Sequence, residues 1–168
     1  MFAHNRPPHT LRLIAALDEN MKRLSGTFTL TAEGKLPKGS SIECNVNGIY
    51  ALIVDEAVVR FGESGTGFER IRNGFNHQLY RANKKKNYHA YHFREQINNK
   101  KIEVRYYSVK GKTLHTPNSR RAVEAELAYQ FRARTSMWPK YMVEIHFYNA
   151  MSTAQKKLVA DILADLSI

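Results

Sequence analysis

The stretch that decides the fold is residues 48–62, GIYALIVDEAVVRFG. Residues 48–54 and 58–62 are apolar runs rich in β-branched side chains, and the three residues between them, DEA, are typical of a turn. The stretch therefore predicts a β-hairpin. We expect a register in which Val54 lies opposite Val58.

This register brings two polar side chains together. It places Leu52 opposite Arg60 and Tyr50 opposite Gly62, so Tyr50 and Arg60 become diagonal neighbours on one face of the sheet. Gly62 has no side chain, which predicts an open space beside the Tyr50 ring. A slip of one residue would move Arg60 to the other face, so the register can be tested.

A helix is predicted directly after the hairpin. Thr66 and Glu69 have the spacing of a capping box, which places the helix start at about Gly67. Arg70 then lies in the first turn, where a phosphate would meet free N–H groups and a guanidinium together. The expected buried stripe has helical spacing and consists of Phe68, Ile71, Phe75 and Leu79.

The order and spacing of these motifs resemble the GIY-YIG nuclease superfamily. The chain has an intact Gly48-Ile49-Tyr50 triplet, a spacer of nine residues, Arg60-Phe61-Gly62, and then Arg70. Arg60 stands where the family has its second Tyr. Many relatives have a His four residues after their Arg, but that position here is Gly74, and His77 lies seven residues after Arg70. A catalytic role for His77 is therefore not expected.

Further along the chain, a second helix carries an acidic side chain near its apolar stripe. Residues 102–109, IEVRYYSV, predict a strand, and Thr116 precedes a helix with a proline in its first turn. Glu124 lies closer than Glu126 to the centre of the stripe formed by Val123, Leu127 and Phe131. A carboxylate turned towards the core is costly without a cation, which could be an arginine, a lysine or a metal ion.

The resemblance assigns this carboxylate a role. Relatives have a strand followed by a helix with one Glu that binds the divalent metal, in some of them as E-x-x-L-x-x-x-F followed by a Trp. Glu124, Leu127, Phe131 and Trp138 match that pattern, so the resemblance covers about residues 46–138. The alternative for Glu124 is a structural ion pair with Arg70 or Arg120. Relatives also often carry an Asn at the end of the core, and Asn149 is a weak candidate for it.

The charge of the chain favours a polyanionic partner. Lys and Arg number 26 against 15 Asp and Glu, which gives a net charge of +11. A basic domain of this kind is typical of nucleic-acid binding. The most basic stretch is residues 81–101, and we expect phosphate contacts from Arg81, Lys84, Lys85 and Lys86.

Aromatic and histidine side chains are interleaved with this basic stretch. Tyr88, Tyr91 and Phe93 either stack on bases or pack into the core, and the pattern leaves both open. His89 and His92 are spaced to share a metal ion, but no third ligand lies at a matching distance. Surface or phosphate-contacting roles are the simpler interpretation of the histidines.

Other features exclude several classes of protein. The single cysteine, Cys44, excludes an internal disulfide and multi-cysteine zinc motifs. Residues 1–10 contain no apolar segment of a signal peptide, and no apolar run is long enough to span a bilayer. A cytoplasmic protein without a membrane partner is the expectation.

Two extensions flank the part of the chain that resembles the family. Residues 1–45 predict a helix that stops at Gly26, followed by a short strand around Phe28 and Leu30. The helical stripe consists of Leu13, Ile14, Leu17, Met21 and Leu24. Residues 139–168 predict a strand at 141–147 and an amphipathic helix at 152–168, which packs on the core or mediates dimerisation.

The expected fold is a single α+β domain over residues 1–168. It has a small, mostly antiparallel sheet flanked by helices, with the extra N-terminal helix and the C-terminal strand and helix.

The resemblance implies a metal-dependent endonuclease that hydrolyses DNA phosphodiester bonds. Tyr50, Arg60, Arg70 and Glu124 would be catalytic, and Glu124 would hold Mg²⁺, for which Mn²⁺ could substitute. The small, basic chain is most similar to the restriction endonucleases of the superfamily, which act as homodimers. Standalone members of unknown role, or a nucleic-acid-binding protein that has lost catalysis, are the alternatives.

Overall fold

A computed structural model describes residues 20–77, 91–142, 145 and 150–168. These residues form an α+β structure with a four-stranded antiparallel sheet and three α-helices, as the sequence predicts. In chain order the elements are β1 (Met21–Thr29), β2 (Gly48–Val54), β3 (Ala57–Ser64), α1 (Phe68–Asn76), β4 (Lys101–Val109), α2 (Pro117–Thr135) and α3 (Thr153–Asp165).

The sheet has the strand order β1-β4-β2-β3, so β3 lies at one edge and β1 at the other. Strand β2 is buried along its whole length, because helices cover both faces of the sheet. One face packs against α1 and the segment at residues 91–97, and the opposite face packs against α2 and α3. Each face therefore has its own hydrophobic core.

The predicted hairpin is present, and its register is correct where it matters for the site. Tyr50 lies opposite Gly62 and Leu52 opposite Arg60. The prediction that Val54 lies opposite Val58 is wrong, because Val54 pairs with Ala57 and the register shifts between Leu52 and Ile53.

The turn explains the shift. Asp55 and Glu56 both have positive φ, 51° and 65°, which makes a two-residue turn of the type that matches strand twist. The sequence predicted a three-residue turn. The irregularity in the ladder absorbs the difference of one residue before Arg60, so Arg60 keeps its predicted face.

The start of α1 is where the sequence predicts it, but the capping box does not form. Gly67 is the N-cap residue, and no side chain caps the helix. Gly67 has φ +63°, and a Cβ at this position would lie 1.8 Å from the carbonyl oxygen of Cys44. The Phe68 N–H donates to that same oxygen at 3.0 Å, so a backbone carbonyl takes the place of the Thr66 side chain. Ser64 Oγ accepts from the Thr66 N–H instead.

The buried side of α1 agrees with the prediction. Phe68, Ile71 and Phe75 are buried, and Leu79 lies outside the described residues. Tyr91 and Phe93 also pack into this core, so the core interpretation is correct for these two aromatics. The Arg94 guanidinium closes the C-terminal end of α1 by donating to the carbonyl oxygens of Phe75 and His77.

The N-terminal extension differs from the prediction. Met21 and Leu24 belong to strand β1, so the prediction that the first helix extends to Gly26 is wrong for residues 21–26. The residues before Asn20 lie outside the described range. These residues form a strand because they pair with the edge of β4 that β2 leaves open. The pairing covers nine residues, from Met21 opposite Val109 to Thr29 opposite Lys101. An alternating half-buried pattern fits such a pairing better than a helical stripe.

The C-terminal extension is partly as predicted. Tyr141, Met142 and Ile145 are not in a strand, and the rest of the predicted strand lies outside the described residues. The Met142 N–H bonds to the Pro139 carbonyl, so the chain turns there. Helix α3 is confirmed, with Ser152 and Gln155 forming a capping box. It packs an apolar face against α2 and the sheet; the buried residues are Leu158, Val159, Ile162 and Leu163.

Within the described ranges, no helix has both the length and the apolar character needed to cross a membrane.

Candidate active site

The structure brings all four predicted site residues together at the edge strand β3. Tyr50 comes from β2, Arg60 from β3, Arg70 from the first turn of α1 and Glu124 from α2. Helices α1 and α2 both contact β3. The charges of Arg60 and Arg70 act on both the Tyr50 hydroxyl and the Glu124 carboxylate, so the four groups lie within electrostatic reach of one another.

Tyr50 is almost fully buried, and its ring fills the space at Gly62 that was predicted to be open. A Cβ at Gly62 would lie 2.2 Å from Cζ of Tyr50, so the glycine accommodates Tyr50 itself and the prediction of an empty space is wrong. Its hydroxyl lies 2.6 Å from the Tyr91 hydroxyl. Burial raises the pKa of Tyr50 above its usual value, and the Arg60 charge lowers it by less.

Arg60 points into the site, as the register predicts. Its Nη1 donates to the Tyr141 carbonyl at 2.7 Å, and its guanidinium carbon lies 5.1 Å from the centre of the Tyr91 ring. Its Nε is buried and has no hydrogen-bond partner within the described part of the chain. A buried donor without a partner is costly, so this N–H is suited to an incoming acceptor such as a phosphate oxygen.

Burial lowers the pKa of Arg60, but the nearby Tyr50, Tyr91 and Glu124 raise it by more. The guanidinium therefore stays charged at any pH at which the protein is folded.

Arg70 is half-buried in the first turn of α1, as predicted. The first amide of the helix, that of Phe68, is occupied by the Cys44 carbonyl, so the expectation of free N–H groups there fails for this one.

Glu124 is half-buried on α2, next to the apolar stripe that packs against the sheet. Its pKa is raised to about 7, because burial outweighs the attraction of Arg60, and Glu63 adds repulsion. Arg70 and Arg121 partly oppose this rise. At neutral pH this carboxylate is poised between its two protonation states, which a bound cation would shift towards the ionised one.

The alternative of an ion pair between Glu124 and Arg120 is not what the structure shows. Arg120 Nε binds Glu63 Oε2 at 2.6 Å, and its Nη1 donates to the carbonyl oxygens of Leu114 and His115. Arg120 is thereby held to the end of β3 and the start of α2, and Glu63 is the second carboxylate near Glu124.

The raised pKa of Glu124 predicts a pH-dependent effect on stability. A carboxyl group with a folded pKa of about 7 and an unfolded value near 4.5 costs stability as pH rises through this interval, because the folded state holds the proton more tightly. Glu124→Gln should therefore raise the free energy of unfolding by up to about 3 kcal/mol at pH 8 and leave it unchanged near pH 4. Urea unfolding of both proteins at the two pH values measures this difference.

The same experiment tests cation binding without any assay of activity. Mg²⁺ added at pH 8 should stabilise the wild type and not Glu124→Gln, because a ligand stabilises only the state that binds it. An equal stability difference at pH 4 and pH 8 would mean that Glu124 ionises like an exposed carboxylate.

Tyr91 and Glu63 are site residues that the sequence did not identify. Tyr91 follows Arg70 by 21 residues, with no spacing that would connect it to the hairpin. Glu63 directly follows Arg60-Phe61-Gly62 on the edge strand. That position in the sequence could have identified it as a candidate site residue.

Some of the predicted residues lie outside the described ranges. The described histidines do not belong to a group that could hold a metal ion. Of the histidines, His77 and His92 are exposed. Among the described residues, no three His, Cys, Asp or Glu side chains are grouped to hold a metal ion. The predicted residues outside the described ranges are Arg81, Lys84, Lys85, Lys86, Tyr88, His89 and Asn149.

Comparisons of the chain with protein-family models, with curated proteins and with solved structures found no match.

Proposed function

We propose that the protein is a metal-dependent endonuclease of the GIY-YIG type that hydrolyses DNA phosphodiester bonds. The observation that carries the proposal is the convergence of Tyr50, Arg60, Arg70 and Glu124 from four separate elements. Two guanidinium groups can stabilise the charge that develops on a phosphate, the carboxylate can hold a metal ion, and the phenol can hydrogen-bond a water.

Glu124 would hold the Mg²⁺ ion. The donor set fits Mg²⁺, which is commonly bound through one or two carboxylates together with waters and substrate phosphate. It fits a zinc site poorly, since within the described ranges no three candidate ligands are grouped. When bound, the metal supplies Lewis-acid stabilisation of a phosphate oxygen and of the leaving 3′-oxygen.

Arg60 and Arg70 would neutralise the charge that builds on the phosphate in the transition state. Among the described residues the buried Nε of Arg60 has no hydrogen-bond partner, and the Tyr141 carbonyl holds the other side of its guanidinium. A guanidinium fixed in this way needs little reorganisation when the charge develops, which is the condition for a large electrostatic effect.

Tyr50 is better suited to orient the attacking water than to deprotonate it. Its pKa lies above the usual value, because burial outweighs the Arg60 charge, so the phenol stays protonated at neutral pH. A neutral hydroxyl can still hold a water by a hydrogen bond in line with the departing 3′-oxygen.

One observation favours a second candidate function, a nucleic-acid-binding protein that has lost catalysis. Tyr50 is only 2% exposed, and its hydroxyl is engaged by Tyr91. A phenol in this position reaches a substrate only if the site opens. DNA binding without cleavage under all metal conditions would support this function.

The products of the reaction test the proposal. Purified protein incubated with long duplex DNA and Mg²⁺ should give fragments with 5′-phosphate and 3′-hydroxyl ends, because the 3′-oxygen is the leaving group. Discrete bands would support the restriction endonuclease, and a smear would support a nuclease without sequence specificity. Intact DNA that nevertheless co-migrates with the protein would refute hydrolysis.

The lysine run should contribute to binding but not to sequence preference. Replacing Lys84, Lys85 and Lys86 with Ala should reduce the slope of log K against log salt by up to about three, if each lysine neutralises one phosphate. The loss of affinity should be similar for all sequences, because phosphate contacts position the protein without reading bases. Fluorescence anisotropy at several salt concentrations measures the slope.

A matched control removes the same charge elsewhere. Lys22 is exposed on β1, the edge strand opposite β3, and Lys110 and Lys112 are exposed just after the end of β4. Their triple replacement should leave the slope nearly unchanged. Equal slopes for the two triple variants would mean that the lysine run is only a solvated surface.

A further inference from the structure

The Tyr91 ring packs against helix α1 close to Arg70. Gly74 lies one helical turn after Arg70, on the same face of the helix. A Cβ at Gly74 would lie 2.4 Å from Cζ of Tyr91, so the Tyr91 ring rests directly on the glycine. The Tyr91 N–H also donates to the Gly74 carbonyl at 2.7 Å. The missing side chain at Gly74 is thus replaced by a ring from another part of the chain.

The ring of Tyr91 is held on several sides. Phe75 packs edge-on with a centroid distance of 4.8 Å, and Phe93 stacks on it at 5.3 Å. The Arg60 guanidinium lies over the ring at 5.1 Å, a distance at which a cation is attracted to an aromatic face. Tyr91 therefore has little freedom to move its hydroxyl.

That hydroxyl meets the Tyr50 hydroxyl at 2.6 Å inside the core. Both residues are buried, and either oxygen can be the donor. A buried hydroxyl needs a partner, and the aromatic packing around Tyr91 would be satisfied equally well by a phenylalanine. The hydroxyl at position 91 is thus the part of the side chain that packing does not explain.

We propose that Tyr91 is a positioning residue of the nuclease site, which acts by fixing the direction of the Tyr50 hydroxyl. This inference rests on the proposed function. The bond to Tyr91 takes up one of the hydrogen-bonding positions of the Tyr50 oxygen and so restricts the directions from which that oxygen can hold a water. Tyr91 does not touch the DNA, so its effect is on the rate of hydrolysis and not on affinity.

The test is the hydroxyl deletion Tyr91→Phe, which keeps the ring and its packing. The single-turnover rate of DNA cleavage with Mg²⁺ should fall about 10- to 100-fold, the scale of a reacting group that is held less well. The Kd for the same duplex, measured in EDTA, should stay within about twofold of the wild type.

A second buried tyrosine separates a role in the site from a role in stability. The Tyr107 hydroxyl donates to Asp165 Oδ2 at 2.8 Å, on the opposite face of the sheet. Both Tyr91→Phe and Tyr107→Phe remove a buried hydrogen bond and should lower the urea concentration of half-unfolding, but Tyr107→Phe should leave the cleavage rate unchanged. An equal rate loss in both variants would show that Tyr91 acts only through stability.

A double variant shows whether Tyr91 acts through Tyr50. Tyr50→Phe combined with Tyr91→Phe should cleave no more slowly than Tyr50→Phe alone, because the second hydroxyl has nothing left to position. Rate losses that multiply would overturn the positioning role. A wild-type rate in Tyr91→Phe would refute this inference and leave the proposed function intact, whereas the absence of cleavage by the wild type itself would refute both.

Discussion

Replacing Glu124 with Ala should abolish cleavage of duplex DNA in Mg²⁺, while the protein still folds and binds DNA. Glu124 is the carboxylate with the strongly raised pKa, and it lies within the reach of both site arginines. If Glu124 holds the metal as proposed, its removal would take the Lewis acid out of the reaction, and the rate should fall below detection in a single-turnover assay. Binding measured in EDTA should persist, because phosphate contacts do not depend on the metal.

The neighbouring carboxylate on the same helix is the matched control. Glu126 accepts a hydrogen bond from Gln130 one turn along α2, which is a local interaction within the helix. Glu126→Ala should therefore cleave at nearly the wild-type rate. Full activity in Glu124→Ala combined with loss in Glu126→Ala would show that the wrong carboxylate has been assigned to the metal.

Replacing Arg60 with Tyr should lower the cleavage rate by roughly ten- to a thousand-fold, the cost of losing one transition-state donor. The variant has the tyrosine expected from the family resemblance but loses the charge beside Tyr50 and the buried Nε. Arg60→Lys should fall between the two, since it keeps the charge but cannot bind a phosphate through two nitrogens.

The pH profile of these variants gives the sign of the effect. Arg60 lowers the pKa of Glu124, so its removal should raise that pKa further. Glu124 then becomes ionised only at higher pH, and the rising limb of the pH–rate profile should move upward. Arg23→Tyr, on the far edge strand, should leave both the rate and the profile unchanged. Cleavage by Arg60→Tyr at the wild-type rate at every pH would mean that Arg60 has no part in the reaction.

The parts of the fold that follow from local patterns could be predicted from the sequence. The two apolar runs and the turn between them predicted the pairing of Tyr50 with Gly62 and of Leu52 with Arg60. Arg60 lies on the predicted face because the irregularity in the ladder offsets the shorter turn. The apolar stripe of α2 placed Glu124 near the core, and the structure brings it to the other site residues.

The parts that depend on distant partners could not be predicted. Met21 and Leu24 have helical spacing, yet they pair with the free edge of β4, which lies about 80 residues later in the chain. The predicted capping box of α1 does not form, because the Cys44 carbonyl accepts the hydrogen bond of the first helical N–H. This arrangement requires a positive φ at Gly67. The contact between Tyr91 and Gly74 likewise depends on tertiary packing that has no periodicity in the sequence.

The proposed function requires that Tyr50, Arg60, Arg70 and Glu124 act as one metal-dependent hydrolytic centre. Its most direct test is the cleavage rate of duplex DNA by the wild type as Mg²⁺ is titrated, with EDTA and Glu124→Gln measured in parallel. We predict a rate that saturates with Mg²⁺ and is absent in EDTA and in Glu124→Gln at every Mg²⁺ concentration. Cleavage that continues in EDTA, or equal cleavage by Glu124→Gln, would contradict it.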